Sequence, residues 1–493
     1  MISNRRFLSI VFFAVVGTLI GCTPTVDRTI PPASVMLQQG LDPIRYRPHA
    51  AEEWTLPNGL TVLYRYDPEL PLVMGTLNLR GGGLWGLPDE RGVISAMGSQ
   101  LRLGGAGELS PEQFDLEMER LSAGVATSFG VESGSISFSG LSTDFKTIVD
   151  RVADVTLRPQ FNEARLNLWK GQALEGIARR KDDPGTVADI SSNHILYGEQ
   201  LYGRILSSID IKEIERIDLL RAHRRIVRPD GAILAITGAV SRVEVESVVA
   251  DAFRDWQPRG ALLDPILPFT GETQPGVYLI EAPLSQATVM IAQVGIERLT
   301  PDYAAIECFN SIFGAGGFGS KLIRRIRSDL GLAYSTYGAV MPALGRGRNL
   351  ILVQTKSASA GKAVEESLRS LAQMQLEEIS PQELEETKRS IENSFLFRFD
   401  SIAESVQREA TIRLLNYPRD YDLTYLDKIA AVSAADIQKV AQTRWSLDHL
   451  AIVVVGDAQA LKSVRSARAD PPSLFANFPV HRASFDEMVR VAR

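Results

Sequence analysis

The sequence predicts an α+β protein built as two similar domains in tandem. Three observations carry this. The chain has 493 residues, more than one ordinary hydrophobic core serves. A weak internal repeat runs through it. Gly59-Leu60-Thr61-Val62-Leu63 opens one half and Gly276-Val277-Tyr278-Leu279-Ile280 the other, and Ile233 to Gly238 and Leu450 to Asp457 close them at nearly the same offset. Capped amphipathic runs lie between these strand-like segments, so helix and strand share each half.

The first residues read as a targeting segment. Arg5 and Arg6 precede the apolar run Phe7 to Ile20, which is too short to span a bilayer comfortably and reads as a signal peptide over 1–22. It ends Leu19-Ile20-Gly21-Cys22. This ending resembles the bacterial lipobox, which implies a lipid on Cys22. Thr23 in place of Asp implies, by resemblance to proteobacterial lipoproteins, the outer membrane, with the globule facing the periplasm. Residues 23–52, rich in Pro, Thr and charge, read as a tether.

The first domain spans 53–256. Pro57-Asn58-Gly59 is a turn signal ahead of the strand Leu60 to Tyr64, and a second strand, Val73 to Leu79, runs into Gly81-Gly82-Gly83. Ser110-Pro111-Glu112-Gln113 places a capping Ser, a Pro in the first helical position and a Gln able to close the box. The amphipathic run Phe114 to Leu121 follows. A Pro- and Gly-bearing linker covers 257–275. The second domain spans 276–465, and residues 466–493 read as a tail. Within it Ser380-Pro381-Gln382-Glu383 repeats the capping device ahead of Leu384 to Phe397.

A net charge of −6 gives no basic face for nucleic acid. The cysteines are Cys22 and Cys308. With Cys22 lipidated, no internal disulfide is possible. Cys308, in the apolar helical run Tyr303 to Phe313, reads as an inert buried thiol. Gly314-x-Gly316-x-x-Gly319 matches a dinucleotide fingerprint in letters only, because it follows a helical run, and Ser320-Lys321 is the wrong order for a phosphate loop.

Several ordered motifs carry a family likeness: Pro57-Asn58-Gly59-Leu60, the glycines at 81–83, Gly92 with its helix, and the repeated domain. The second half adds Phe313-Gly314-Ala315-Gly316-Gly317-Phe318-Gly319-Ser320-Lys321-Leu322, then Arg327-Ser328-Asp329-Leu330-Gly331-Leu332-Ala333-Tyr334-Ser335. Over about residues 53–460 the chain resembles the insulinase-like zinc peptidases, the family of pitrilysin and the mitochondrial processing peptidase. The resemblance implies that each domain is a mainly antiparallel sheet with helices packed on it, the pair forming one half of a clamshell.

Active members carry His-x-x-Glu-His where this chain has Ser95-Ala96-Met97-Gly98-Ser99. Two imidazoles and a distant carboxylate hold Zn²⁺ there and leave one position open for a water, which the Glu of the motif deprotonates. Ser95, Gly98 and Ser99 offer none of this. Glu175 falls where the distal ligand is expected, but one carboxylate does not hold a catalytic zinc. Its plain reading is a helix-surface Glu. The five histidines, His49, His194, His223, His449 and His481, include no helical or hairpin ligand pair. No metal or cofactor is expected in this chain.

The second half keeps what the first lost. By resemblance, Arg327 and Tyr334 match the pair that reaches substrate from the second domain, the Arg holding a carbonyl or carboxylate and the Tyr steadying an oxyanion. Gly316, Gly317 and Gly319 form a turn expected to touch peptide. Some bacterial members work as two different subunits, one with zinc and one with this pair. The expected partners are therefore a zinc-bearing relative, an unfolded peptide, and a membrane through the lipid. The expected function is that of the non-catalytic subunit of a heterodimeric peptidase in the cell envelope. The alternative is a non-proteolytic peptide-binding or scaffold protein. Peptide pairing with a sheet edge is expected at Val125-Ala126-Thr127-Ser128.

Overall fold

The structure is a computed structural model that describes residues 50–260, 269–284 and 286–487. The signal peptide, Cys22, His49 and residues 23–49 of the tether lie outside the described residues, as do parts of the linker and tail.

Among the described residues two six-stranded sheets carry the fold. The first contains β1 (Glu52–Thr55), β2 (Thr61–Tyr66), β3 (Leu72–Arg80), β4 (Gly124–Phe129), β5 (Ser133–Leu141) and β6 (Ile233–Gly238), in the spatial order β1-β2-β6-β3-β5-β4. The second contains β7 (Gly276–Glu281), β8 (Gln286–Val294), β9 (Ala333–Met341), β10 (Arg348–Lys356), β11 (Ala451–Gly456) and β12 (Val480–Ala483), in the order β12-β7-β11-β8-β10-β9. Five strands correspond one to one. The outermost differs: β1 joins β2 antiparallel, whereas β12 joins β7 parallel. β12 comes from the stretch 466–493, which therefore supplies a strand as well as chain end. The pairs β2–β6, β7–β11 and β7–β12 are parallel and all others antiparallel, so each sheet is mixed with a mainly antiparallel ladder.

One face of each sheet is covered by helices of its own half. In the first half these include Val93–Leu103 and Phe145–Leu157, which bury Met97, Leu101, Ile148 and Val152 against Leu77 and Ile136. In the second half Tyr303–Asn310 and Ala360–Leu376 do the same work over Val289 and Ile351. The opposite faces are covered by exchange. Val406, Ala410 and Leu414 of the helix Ile402–Leu414 pack on Leu63, Ile233 and Ala235 of the first sheet. Val187, Ala188, Leu196 and Tyr197 of the helix Pro184–Tyr197 pack on Met290, Ala292, Val453 and Val455 of the second. Covered on both faces, β6 and β11 are buried at every residue, which is why they read as continuous apolar runs.

Polar links cross between the halves as well. Asn78 on β3, 5% exposed, exchanges two side-chain hydrogen bonds with Gln407. Glu132, in the β4–β5 turn, accepts from Arg298, from Tyr202 and from the backbone N–H of Leu344.

Ser110 closes a full capping box with Gln113 at the start of the helix Pro111–Arg120. Ser380 accepts from the N–H of Glu383 at the start of Pro381–Phe395, but the Glu383 carboxylate turns to Lys321, 2.9 Å away. No helix among the described residues is long and apolar enough to cross a membrane.

Candidate functional site

The helix Val93–Leu103 carries Ser95, Gly98 and Ser99. Ser95 is exposed, Ser99 half-buried and Gly98 buried. Gly98 is buried because β4 crosses it. Thr127 Oγ1 donates to the Gly98 carbonyl at 2.6 Å, and the Phe129 ring lies against the Gly98 α-carbon. A β-carbon at 98 would fall 2.6 Å from Phe129 Cβ and 2.8 Å from Cδ2. The far side of the same ring lies against Gly134 of β5, where an added β-carbon would also overlap it. Residue 98 thus has no room for a longer side chain while Phe129 keeps its place.

Glu175 lies on the helix Glu163–Arg179, which packs beside Val93–Leu103. Its carboxylate is exposed and paired with Arg179 on the same helix at 2.6 Å. The remaining histidines are scattered. His223 is half-buried, with Nε2 2.8 Å from the Thr156 carbonyl, and desolvation lowers its pKa, which keeps the ring neutral. His194 Nδ1 lies 3.0 Å from the Gly203 carbonyl, His449 Nδ1 2.9 Å from Ser446 Oγ, and His481 stacks on Tyr278. Among the described residues no three His, Cys, Asp or Glu side chains gather as a metal site. Zinc does not fit the donors present. Cys308 is buried, and burial pushes its thiol up to about 12, well above a nucleophile's range.

The second half presents a different surface. The helix Tyr303–Asn310 passes into a π-helical segment, Ser311–Ala315, then into the turn Gly317–Gly319. A second π-helical segment, Arg324–Asp329, leads to β9. Such widened turns are rare and frequent at functional sites. Here the first lets Gly314 lie on the backbone of Gly338 in β9, so close that a β-carbon at 314 would sit 2.5 Å from the Gly338 nitrogen. Gly316, Gly317 and Gly319 are all exposed. Between them Phe318 is 72% exposed, and the Arg327 guanidinium lies over its ring at 4.8 Å. Tyr334, at the start of β9, is 88% exposed. Arg327 therefore meets the Gly-rich turn through Phe318, while Tyr334 stands on the adjacent strand and projects into solvent. Phe318 escaped the sequence reading. Its only signal was an aromatic set among glycines, where packing alone has no use for one.

Both β4 and β9 are edge strands, and both are partly sealed. Arg102 donates to the Val125 carbonyl on β4 at 3.2 Å. Asn310 grips Val340 on β9 twice, at 2.8 and 2.9 Å. The segment Val125 to Ser128 lies on an edge, with one of its acceptors already taken.

Residues 213–391 match the family described as Peptidase M16 inactive domain. An uncharacterized zinc protease of Streptomyces coelicolor is 30% identical over 207 residues, which cover 40% of this chain and 44% of that relative. The chain thus spans less than half the length of that curated relative. The non-peptidase homolog YmxG of Helicobacter pylori is 23% identical over 408 residues, 80% of this chain and 91% of the relative. Among solved structures, a peptidase M16 inactive domain from Pseudomonas fluorescens superposes with a TM-score of 0.75 at 25% identity, covering 83% of this chain and 98% of that one. Ordered motifs, sheet topology and these likenesses agree: residues 213–391 match the M16 peptidase inactive domain, and the chain is similar over most of its length to peptidase-like proteins of that kind, without the zinc motif.

Proposed function

We propose that this chain is the non-catalytic subunit of a heterodimeric zinc peptidase of the bacterial cell envelope. A lipid on Cys22 anchors it, and it contributes Arg327 and Tyr334 to peptide held against a zinc-bearing relative. The observation that carries this reading is an asymmetry. The metal helix is closed by Phe129 over Gly98, yet the motif of the second half stays open to solvent, with Phe318, Arg327 and Tyr334 exposed. Tyr334, 88% exposed, stands beside Phe318 and Arg327 on one open surface, as a chamber wall facing peptide requires. The guanidinium supplies a charge-assisted hydrogen bond to a peptide carbonyl or carboxylate, and the tyrosine hydroxyl supplies a donor to developing negative charge. Gly316, Gly317 and Gly319 let backbone approach backbone where a side chain would hold them apart.

The test begins with a pull-down of the tagged protein from its native membranes. The reading expects a near-stoichiometric relative bearing His-x-x-Glu-His. Peptide cleavage by the reconstituted pair should then fall at least tenfold with Arg327→Ala and with Tyr334→Phe. Full cleavage by either mutant pair sinks the assigned role.

A second reading, a peptide-binding or scaffold protein without proteolysis, is favoured by one observation: a relative aligned over 91% of its length carries the name non-peptidase homolog. Recovery of only unrelated envelope proteins in the pull-down would select it.

A further inference from the structure

A cavity of about 630 Å³ lies between the helices Tyr303–Asn310 and Tyr421–Ala431, away from the Gly-rich turn. Three half-buried tyrosines wall it. The rings of Tyr303 and Tyr421 lie 4.9 Å apart at 33°, and those of Tyr417 and Tyr421 4.7 Å apart at 56°. Local structure explains the convergence. Tyr303 and Glu307 are one turn apart on one helix, so they share a face. Tyr421 opens the second helix. Tyr417 is set by the turn that ends the helix Ile402–Leu414, where Asn416 takes φ 58° and the Tyr417 N–H returns to the Ile412 carbonyl at 2.9 Å.

Charge distinguishes this cavity from an ordinary gap between helices. Glu307 lines it, is half-buried, and forms no ion pair or side-chain hydrogen bond among the described residues. Among the other charges nearby, exposed Lys428 also lines the cavity and exposed Asp420 precedes the second helix. Arg298 is paired with Glu132, and Asp422 with Arg408. The Lys428 ammonium lies 5.1 Å from the centre of the Tyr303 ring, the protein's own example of a cation drawn to this cluster. Burial pushes the Tyr417 hydroxyl up against the opposing pull of Arg298 and Arg408, and burial with Tyr417 and Glu307 pushes the Tyr421 hydroxyl up. The rings therefore stay neutral and keep their electron-rich faces.

We propose that this cavity binds an alkylammonium cation, held by the Glu307 carboxylate and the faces of Tyr303, Tyr417 and Tyr421. Aromatic faces attract such ions most when the ion is partly out of water, and a carboxylate without a partner gains more from one than a solvated carboxylate does. The volume is in the range of small-ligand sites and accepts a choline-sized ion or the end of a lysine side chain. This proposal stands apart from the subunit role and does not depend on it.

Titration calorimetry on the full-length protein tests it, at constant ionic strength. Choline is compared with 3,3-dimethylbutan-1-ol, its neutral counterpart in shape. Lysine capped at both ends is compared with the same molecule acetylated on its side chain. At least one cation should bind tenfold or more tighter than its neutral counterpart. Glu307→Gln should abolish that preference without moving the melting temperature, and Tyr417→Leu should weaken the cation at least fivefold. Preference for choline alone identifies a small free quaternary ammonium as the ligand, and preference for capped lysine identifies a peptide side chain. Equal binding of charged and neutral partners, an unaffected Glu307→Gln variant, or no heat with either cation overturns the proposal.

Discussion

The Phe129 ring occupies the space in front of Gly98, so that a β-carbon at residue 98 would fall 2.6 Å from the β-carbon of Phe129. The contact joins the helix Val93–Leu103 to the edge strand β4. It also reverses the usual sign of a helical glycine-to-alanine change. In an open helix Gly98→Ala would gain about 1 kcal/mol. Here overpacking against β4 costs about 1–3 kcal/mol, and the variant should be the less stable in urea unfolding. Cutting the ring back with Phe129→Ala should remove that penalty, so the two changes should couple by more than about 1 kcal/mol. A stabilised Gly98→Ala single variant would refute the contact.

Asn78 and Gln407 hold the exchanged helix to the first sheet. Their amides exchange bonds of 2.7 and 3.3 Å, and the Asn78 amide also reaches the carbonyls of Thr76 and Ile233. Gln407→Leu leaves the Asn78 oxygen buried without its partner, a loss of about 1–2 kcal/mol. Because the helix Ile402–Leu414 covers a sheet of the other half, the loss should appear in the global transition. A separate early transition would show that the halves unfold independently.

Much of this architecture is legible from the sequence, and the boundary has a physical basis. Repeated openings at Gly59 and Gly276 and closings at Gly238 and Gly456 locate strands because strand and turn chemistry is local. Ser110 and Ser380 announce helices for the same reason. That His-x-x-Glu-His is missing at Ser95 to Ser99 is visible in the letters alone, while a zinc role for those positions is what the family resemblance implies. The exchange of helices is not legible. The apolar stripe of Val406, Ala410 and Leu414 says that something covers it and cannot name Ile233 as the partner. β12 is hidden likewise, since its four residues, Val480 to Ala483, carry no alternation and gain a sheet only by lying beside β7. Phe129 over Gly98 and Phe318 under Arg327 are tertiary contacts, set by where strands and turns meet in space.

Glu132 gives the junction between halves a pH dependence. Burial opposes its ionisation, but the Leu344 N–H and the Arg298 guanidinium outweigh it and hold the carboxyl below the usual carboxylate range. A folded-state pKa below the unfolded value of about 4.3 means stabilisation that is complete above that value and lost as pH falls through the folded one. Glu132→Gln removes the titration and leaves Arg298 partly buried without its counter-ion. At pH 7 it should cost about 1–3 kcal/mol, below the ~3–5 kcal/mol of a fully buried pair, since both partners keep some exposure. The gap between variant and parent should narrow below pH 4. A constant gap from pH 7 to pH 3 would exclude the carboxylate as its source.

Restoring the ligand letters should not restore a metal site. Ser95→His with Ser99→His places two imidazoles one turn apart on an outward face, the spacing zinc helices use. The third ligand is still absent, because Glu175 is turned to solvent and paired with Arg179. The double variant should retain well under one zinc per chain after dialysis, measured by elemental analysis. Adding Gly98→Glu forces a long side chain into the Phe129 contact, and the triple variant should melt below the double one. Adding Phe129→Ala should bring the two melting temperatures back together. A triple variant that holds stoichiometric zinc with Phe129 intact would mean that the helix and β4 separate easily, and that the filling of this site by Phe129 is not what keeps the chain free of metal.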